Sequence, residues 1–226
     1  MPADASRSPR RPYVVAHTAI SLEGATTGFP PNVGRFYELA ATWNEDITLA
    51  GADTILAQEQ TLAAASRPGP AADGPLLAVV DGKGRIRQWQ ALRDVGHWSN
   101  VIALYAQSTP PRPPSSTVPE LVSGTERVDL AEAISELGRR EGAEVVRVDS
   151  GGSLTGALLE AGLLDEVSLL IHPCLAGSRV RHPWYGSAPY LADALELVES
   201  QSFDDGLVWL RYRTAGQPAA DHPKSP

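Results

Sequence analysis

Residues 146–177 read VRVDSGGSLTGALLEAGLLDEVSLLIHPCLAG, and this stretch decides the fold class. It leaves an apolar, β-branched run, turns through two adjacent glycines, and continues with leucines at helical spacing as far as Gly162. A second apolar run over 166–172 follows it. Strand, glycine-rich turn, helix and strand in this order are typical of α/β proteins, in which the strands lie parallel and helices cover the sheet.

The same alternation continues outward along the chain. Short apolar runs predict further strands, and i, i+3, i+4 spacing predicts helices over 33–45, behind the N-cap Asn32, and after the N-cap Asp129. Two runs flanking the turn 204–206 predict a β-hairpin over 194–214. We therefore predict one α/β domain over 11–215, with a mainly parallel sheet, flanking helices and a C-terminal antiparallel hairpin, between disordered tails at 1–10 and 216–226. The predicted strands are 13–20, 47–50, 76–80, 101–105, 144–148 and 166–172.

Composition excludes several classes of protein. Lys and Arg total 19 against 27 Asp and Glu, so the net charge of −8 argues against a nucleic-acid binder. No run approaches the roughly 18 apolar residues of a membrane span, and the N-terminus lacks the apolar core of a signal peptide. The single Cys174 excludes an internal disulfide, and five scattered histidines do not predict a metal site. We expect a cytoplasmic protein without a metal.

The glycine-rich turn is the strongest candidate for a binding site. It comprises Ser150, Gly151, Gly152, Ser153 and Leu154. Free N–H groups and the dipole of the following helix favour an anion there, although the turn matches neither the GxGxxG fingerprint nor a P-loop. The alternative is a tight turn in which Ser153 is the helix N-cap.

Two further strand ends carry candidate ligand-binding residues. After the strand at 76–80, Gly82 and Lys83 precede Arg85, and three cations within five residues suit the 2′-phosphate that distinguishes NADP from NAD. The alternative is a solvated turn. After the strand at 47–50, Gly51 and Thr54 form a possible backbone platform or an ordinary connection.

The end of the first strand supplies the candidate catalytic residues. His17 lies on the strand and Glu23 follows its carboxyl end, where α/β folds place ligands. Glu23 could donate or relay a proton. The alternatives are a hydrogen-bonded core histidine and an exposed turn carboxylate.

Taken in order, these segments resemble the reductase domain of riboflavin biosynthesis, which has a dihydrofolate-reductase-like fold. The resemblance spans about 11–214 and is carried by RPYVVAHTAISLEG, LAGADTILA, LAVVDGKGRI and the stretch quoted first. It implies an NADPH-dependent reductase, commonly a homodimer. It also implies that Ser150 to Leu154 hold the cofactor phosphates, that Gly51 and Thr54 contribute, and that Gly82 to Arg85 lie near the adenosine phosphate.

The chain departs from the family pattern in three motifs. The usual Ser-Leu-Asp-Gly is Ser21-Leu22-Glu23-Gly24, the usual Glu-Gly-Gly is Asp149-Ser150-Gly151, and the Asp-Asn-Pro motif is Gln58-Glu59-Gln60. Cofactor elements are therefore kept while substrate elements are changed, which leaves the identity of the heterocycle open.

We predict hydride transfer from NADPH to a C=N bond or masked carbonyl of a small heterocycle of the aminopyrimidine or ribosylamine kind. Glu23 and His17 would lie near the substrate, with Trp43 or Phe29 as a stacking wall and a water as a possible proton donor. The alternatives are a pterin or dihydrofolate reductase of the same fold, an NADP-binding protein without catalysis, and an unrelated α/β protein.

Overall fold

The computed structural model describes residues 11–112, 117–177, 183–188 and 195–214. The predicted tails and residue 215 lie outside these ranges. The strands within them are β1 Tyr13–Ile20, β2 Ile47–Gly51, β3 Leu76–Val80, β4 Asn100–Tyr105, β5 Glu120–Val122, β6 Val145–Val148, β7 Glu166–Ile171, β8 Leu195–Ser202 and β9 Val208–Thr214. The helices are α1 Val33–Ala40, α2 Ala52–Ala57, α3 Glu59–Ala64, α4 Trp89–Asp94, α5 Leu130–Glu141 and α6 Gly152–Glu160.

The described strands form one sheet in the order β5-β4-β3-β2-β6-β1-β7-β9-β8. The first seven of these positions are parallel, and β9 pairs antiparallel with both β7 and β8. Strand β6 arrives late in the chain and inserts between β1 and β2, with Val146 opposite both Val14 and Ile47. The strand order therefore reverses beside β6, and ligands of open α/β sheets bind outside the carboxyl ends of strands at such a point.

Side chains alternate between the two faces of the sheet, and each face has its own helices. One face buries Val14, Leu49 and Val146 against α5 and α6. The other face buries Leu77 and Val79 beneath α2 to α4, while α1 covers β7 and β9. Leu158 of α6 is fully buried, so truncation to alanine would cost about 2–5 kcal/mol.

The predicted α/β fold, with its parallel sheet and C-terminal hairpin, is confirmed. Asn32 and Asp129 cap α1 and α5 as predicted, accepting hydrogen bonds from the N–H groups of Arg35 and Glu132. The helix predicted over 33–45 ends at Ala40 and continues as a short 3₁₀ turn over 41–43, since Asn44 adopts a left-handed conformation with φ 44°.

Some details differ from the sequence analysis. Gly151 is the N-cap of α6, so the alternative in which Ser153 caps this helix is wrong. Ala161, which follows Leu154 and Leu158 at helical spacing and is therefore expected to face inward, is exposed. The prediction also missed α3, α4 and β5, which are three to six residues long and too short for a clear periodicity.

Candidate functional site

Four predicted cofactor-binding residues meet at the carboxyl ends of β2 and β6. The Ser150 hydroxyl accepts a hydrogen bond from the Gly51 N–H at 3.1 Å, and it lies 3.1 Å from the Thr54 hydroxyl. The Gly151 N–H donates to the same Thr54 oxygen at 3.4 Å. A side chain on Gly51 would approach the Ser150 oxygen to 3.0 Å, so the absence of one permits this contact. Adjacent strands thus join the two segments that sequence placed about 100 residues apart.

The start of α6 fits an anionic group. Among the described residues no side chain caps this nine-residue helix, and its N-cap Gly151 is extended, with φ −71° and ψ 176°. A Cβ added to Gly151 would have no heavy atom of the described residues within 4 Å, apart from its own chain neighbours, so the space beside this Cα is open in the described structure. Uncapped N–H groups and the positive end of the helix dipole stabilise a phosphate at such a position.

The other members of the glycine-rich turn do different work. A Cβ on Gly152 would lie 1.9 Å from the carbonyl oxygen of Pro183, so this glycine admits a neighbouring backbone. Ser153 is exposed, and Leu154 is 8% exposed and belongs to the core under the sheet. Their roles toward a cofactor stay predictions.

The turn after β3 is built around a buried carboxylate. Asp81 is 1% exposed and accepts hydrogen bonds from the N–H groups of Arg85 and Ile86, at 3.0 and 2.9 Å. The Gly82 carbonyl accepts from the Thr109 hydroxyl at 2.9 Å. The turn that carries the predicted phosphate-binding cations is therefore fixed from below.

The two cations predicted to bind a phosphate, Lys83 and Arg85, differ in their surroundings. Lys83 is exposed at the tip of the turn. Arg85 forms a 2.7 Å ion pair with Asp53 of α2, and both side chains are exposed. An exposed pair contributes about 0–1 kcal/mol, so the guanidinium can be diverted to a phosphate at low cost.

Glu23 holds neighbouring backbone. Its carboxylate accepts hydrogen bonds from the N–H groups of Ala176, at 2.6 Å, and Gly177, at 3.2 Å. The hydrogen bond with the Ser21 hydroxyl, helped by these backbone donors, lowers the pKa of the Glu23 carboxyl below its ordinary value. Glu23 is therefore ionised at neutral pH, a state suited to positioning a loop and not to donating a proton.

His17 lies inside the protein with both ring nitrogens engaged. It is 1% exposed, its Nε2 lies 3.0 Å from the Phe36 carbonyl oxygen, and its Nδ1 lies 2.8 Å from the Ser168 hydroxyl. A carbonyl only accepts, so Nε2 carries the proton and Nδ1 accepts from Ser168. Burial lowers the pKa of His17 to about 3. The geometry gives His17 a structural job, and its catalytic role stays a prediction.

The predicted stacking residues are partly used within the protein. Trp43 lies 5.3 Å from the His17 ring and 6.4 Å from the Trp209 ring, centroid to centroid. Phe29 lies 5.0 Å from the His172 ring. Neither contact identifies a substrate wall.

Sequence reasoning missed a polar cluster beside the switch point. Arg147 of β6 has a 4% exposed side chain, and its guanidinium lies 2.7 Å from the Glu45 carboxylate and 3.4 Å from that of Asp149. The Tyr37 hydroxyl of α1 donates to Asp149 at 3.4 Å. Burial, with the nearby Asp149 charge, raises the pKa of Tyr37 to about 12. The Thr48 hydroxyl is buried on the same face without a hydrogen-bond partner within the described ranges. An arginine inside the apolar run VVRV was the signal.

The described residues contain no group of three or more His, Cys, Asp or Glu side chains that could hold a metal ion. No helix within the described part of the chain has the length and apolarity needed to cross a bilayer.

Comparison with known proteins identifies relatives over nearly the whole chain. A family model described as the RibD C-terminal domain matches residues 12–209. A 2,5-diamino-6-ribosylamino-4(3H)-pyrimidinone 5′-phosphate reductase of Methanothermobacter thermautotrophicus is 29% identical over 211 residues, covering 86% of this chain and 87% of the relative. A protein of the same name from Archaeoglobus fulgidus is 27% identical over 189 residues, covering 75% and 84%.

Solved structures confirm the dihydrofolate-reductase-like fold. The riboflavin biosynthesis reductase Rib7 of Saccharomyces cerevisiae superposes with a TM-score of 0.70 at 20% identity, covering 94% of this chain and 93% of that one. A dihydrofolate reductase of Enterococcus faecalis gives a TM-score of 0.51 at 12% identity, covering 90% and 97%. The resemblance drawn from sequence is confirmed, and its curated relatives are named as reductases. The chain belongs to the RibD C-terminal domain family.

Proposed function

We propose that this chain is an NADPH-dependent reductase that acts on an aminopyrimidine ribosylamine of the kind named for its relatives. The observation that carries the proposal is the contact of Ser150 with Gly51 and Thr54 beside the uncapped start of α6. This arrangement offers N–H donors and open space where a pyrophosphate can approach the backbone.

The order of the strands gives the cofactor a direction. The turn carrying Lys83 follows β3, the Ser150 turn follows β6, and residues 21–25 follow β1. Three inter-strand spacings of about 4.8 Å separate β3 from β1, roughly 14 Å in all, a span suited to an extended dinucleotide. We place the 2′-phosphate near Lys83, the pyrophosphate at Ser150 and Gly151, and the nicotinamide beside residues 21–25.

When bound, the cofactor would supply the hydride, and the protein orients the reactants. At the carboxyl end of β6, the Asp149 carboxylate lies 3.4 Å from the Tyr37 hydroxyl of α1. A carboxylate accepts hydrogen bonds from the amino and ring N–H groups of an aminopyrimidine. Glu23 is ionised and both nitrogens of His17 are engaged, so a solvent water is the proton donor we favour.

The proposal is tested by titrating the protein with NADPH and by assaying NADPH oxidation with 2,5-diamino-6-ribosylamino-4(3H)-pyrimidinone 5′-phosphate. We expect binding that raises the melting temperature and turnover that depends on the substrate. If the protein showed no NADPH binding and no turnover, a reductase would be excluded. Turnover with dihydrofolate alone would favour the pterin reductase instead.

One observation favours a second candidate, an NADP-binding protein without turnover. Gln58-Glu59-Gln60, which replaces the family's Asp-Asn-Pro, forms the junction between α2 and α3. Tight NADPH binding with no turnover on aminopyrimidines or pterins would support this candidate.

We further propose that the protein is a homodimer that uses β8. This strand is one of the two edges of the described sheet, opposite the edge formed by β5, and Leu195, Leu197 and Val198 are 42%, 54% and 41% exposed on it. A long exposed edge with apolar side chains favours pairing with another chain. Light scattering should give a dimer for the native protein and a monomer for Leu197→Lys; a native monomer would refute the proposed dimer.

Cytoplasmic location stays a prediction from the sequence.

A further inference from the structure

Helix α6 carries a glycine face that receives another segment of backbone. Gly152 and Gly156 lie one turn apart, and a Cβ on them would come within 1.9 Å of the Pro183 carbonyl oxygen and 2.4 Å of the Tyr185 carbonyl oxygen. Real Cβ atoms do not approach backbone so closely, so a side chain at either position requires the segment to move. Gly186 completes the contact: its φ is +57°, and its own Cβ would lie 2.3 Å from the Gly152 carbonyl oxygen. Residues 183–186, called the strap below, therefore depend on glycine on both sides of the contact.

The opposite edge of the strap is joined to the loop after β1. The Trp184 N–H donates to the Gly24 carbonyl at 3.1 Å, and Pro183 forms an antiparallel bridge with Ala25. The Trp184 indole also lies 3.6 Å from where a Gly24 Cβ would project, and Gly24 has a φ of +82°. The strap thus contacts α6 on one side and the loop on the other.

The loop itself, residues 21–25, is a closed turn. Ser21 is fully buried, its N–H donates to the Ala25 carbonyl at 3.0 Å, and its hydroxyl accepts from the Ala25 N–H at 3.1 Å. The Gly24 N–H donates to the Ser21 carbonyl at 2.9 Å. These three hydrogen bonds fix the shape of the turn, and contacts with other segments fix its position.

We propose that the strap fixes the 21–25 loop to α6, and that Gly156 and Trp184 are positioning residues for the nicotinamide end of the cofactor. The inference rests on the proposed function, which sets the pyrophosphate at the start of α6 and the nicotinamide beside 21–25. Hydride transfer requires reacting atoms about 3–3.5 Å apart, and a misplacement of about 1 Å can cost a hundredfold in rate. The strap ties both ends of the cofactor site to one rigid helix.

The experiment compares two variants that release the strap from opposite sides. Gly156→Ala forces a methyl group against the Tyr185 carbonyl, one turn beyond the residues assigned to the phosphates. Trp184→Ala removes the indole over Gly24. Gly34→Ala is the matched control, because within the described part of the chain its Cβ would meet only the Asn32 side-chain oxygen, at 3.7 Å. Alanine normally favours a helix over glycine by about 1 kcal/mol, so the control should not lose stability.

Two ligands separate the ends of the site: NADPH, and 2′,5′-ADP, which lacks the nicotinamide half. We expect both strap variants to weaken NADPH binding about tenfold and to lower kcat as well. The affinity for 2′,5′-ADP should change less than about twofold. Hydrogen exchange without ligand should speed up at the Gly24 and Ala25 N–H groups in both variants and not in the control.

Equal weakening of both ligands would overturn the proposal, because the strap would then act at the phosphate end alone. Unchanged NADPH binding and kcat in a folded variant would overturn it as well. If the native protein binds neither ligand, the proposed function is wrong. In that case, faster hydrogen exchange at the Gly24 N–H in the strap variants would still show that the strap holds the loop. Unchanged exchange in the variants would refute this role of the strap as well.

Discussion

Replacing Arg147 with methionine tests the polar cluster at the switch point. The change removes a guanidinium that is 4% exposed while leaving the Glu45 carboxylate, 12% exposed, without its partner at 2.7 Å. Breaking a buried ion pair from one side costs about 3–5 kcal/mol, because the remaining charge keeps its desolvation penalty and loses its compensation. Asp149, 28% exposed and 3.4 Å away, is closer to solvent and adds less.

Urea unfolding followed by tryptophan fluorescence measures this cost. Arg147→Met should lower the free energy of unfolding by about 3–5 kcal/mol, whereas the double variant Arg147→Met/Glu45→Leu should recover most of it, since no unpaired charge is left at that contact. Arg139→Met is the control: this side chain is 62% exposed and pairs with Glu136 on α5, so its loss should cost less than about 0.5 kcal/mol. Equal losses for Arg147→Met and Arg139→Met, or a double variant as unstable as the sum of its parts, would refute the reasoning.

Three further predictions concern the sites assigned above. Lys83→Ala should weaken NADPH binding about fivefold to tenfold and leave NADH binding nearly unchanged, because only NADPH carries the 2′-phosphate. Lys224→Ala, at the other lysine of the chain, is the control. Equal effects on the two cofactors would show that Lys83 does not contact the 2′-phosphate. The pKa of His17 falls from 6.5 to about 3 on folding. Between these pH values His17 is protonated in the unfolded chain and neutral in the folded protein. The free energy of unfolding should therefore fall by up to about 1.4 kcal/mol per pH unit as the pH drops below 6.5. His17→Gln should remove this pH dependence, whereas His97→Gln, at an exposed histidine, should keep it. Glu23→Gln should keep kcat within about threefold, because an amide oxygen still accepts from the two backbone N–H groups, whereas loss of a general acid would cost a hundredfold or more and would restore Glu23 as the proton donor.

The spacing of apolar residues in the sequence predicted the sheet and its order of elements. The elements it missed depend on contacts with segments that are distant in the chain. The apolar run of β3 is continuous, and the runs of β1, β2 and β6 are interrupted by only one or two polar residues each, which is typical of parallel strands buried on both faces. Given that sheet, glycines and hydroxyls at successive strand ends had to meet, and Gly51, Thr54 and Ser150 do. The three-residue β5 has no period to detect, and it exists because β4 offers an edge to pair with.

The missed and reassigned residues depend on partners far away in the chain. The Arg147 guanidinium finds its acceptor on Glu45, 102 residues earlier, and no local pattern reports that pairing. Gly152 sits in a turn that suggests phosphate, yet its missing side chain admits the Pro183 carbonyl. A glycine in the sequence indicates that another group approaches the backbone closely, but it does not identify that group.

The insertion of β6 between β1 and β2 also sets when the site can exist. A ribosome delivers β1 and β2 long before residue 145, and until β6 arrives the inner edges of both strands lack a partner. The carboxylate of Asp46, just before β2, waits for the N–H groups of Glu144 and Val145, which it binds at 2.8 and 2.9 Å. Pairing across about 100 residues is slow because loop closure must precede any gain from contact. The nascent chain therefore has two unpaired inner strand edges, which are prone to aggregation, until β6 is synthesised. The contacts of Ser150 with Gly51 and Thr54 cannot form earlier.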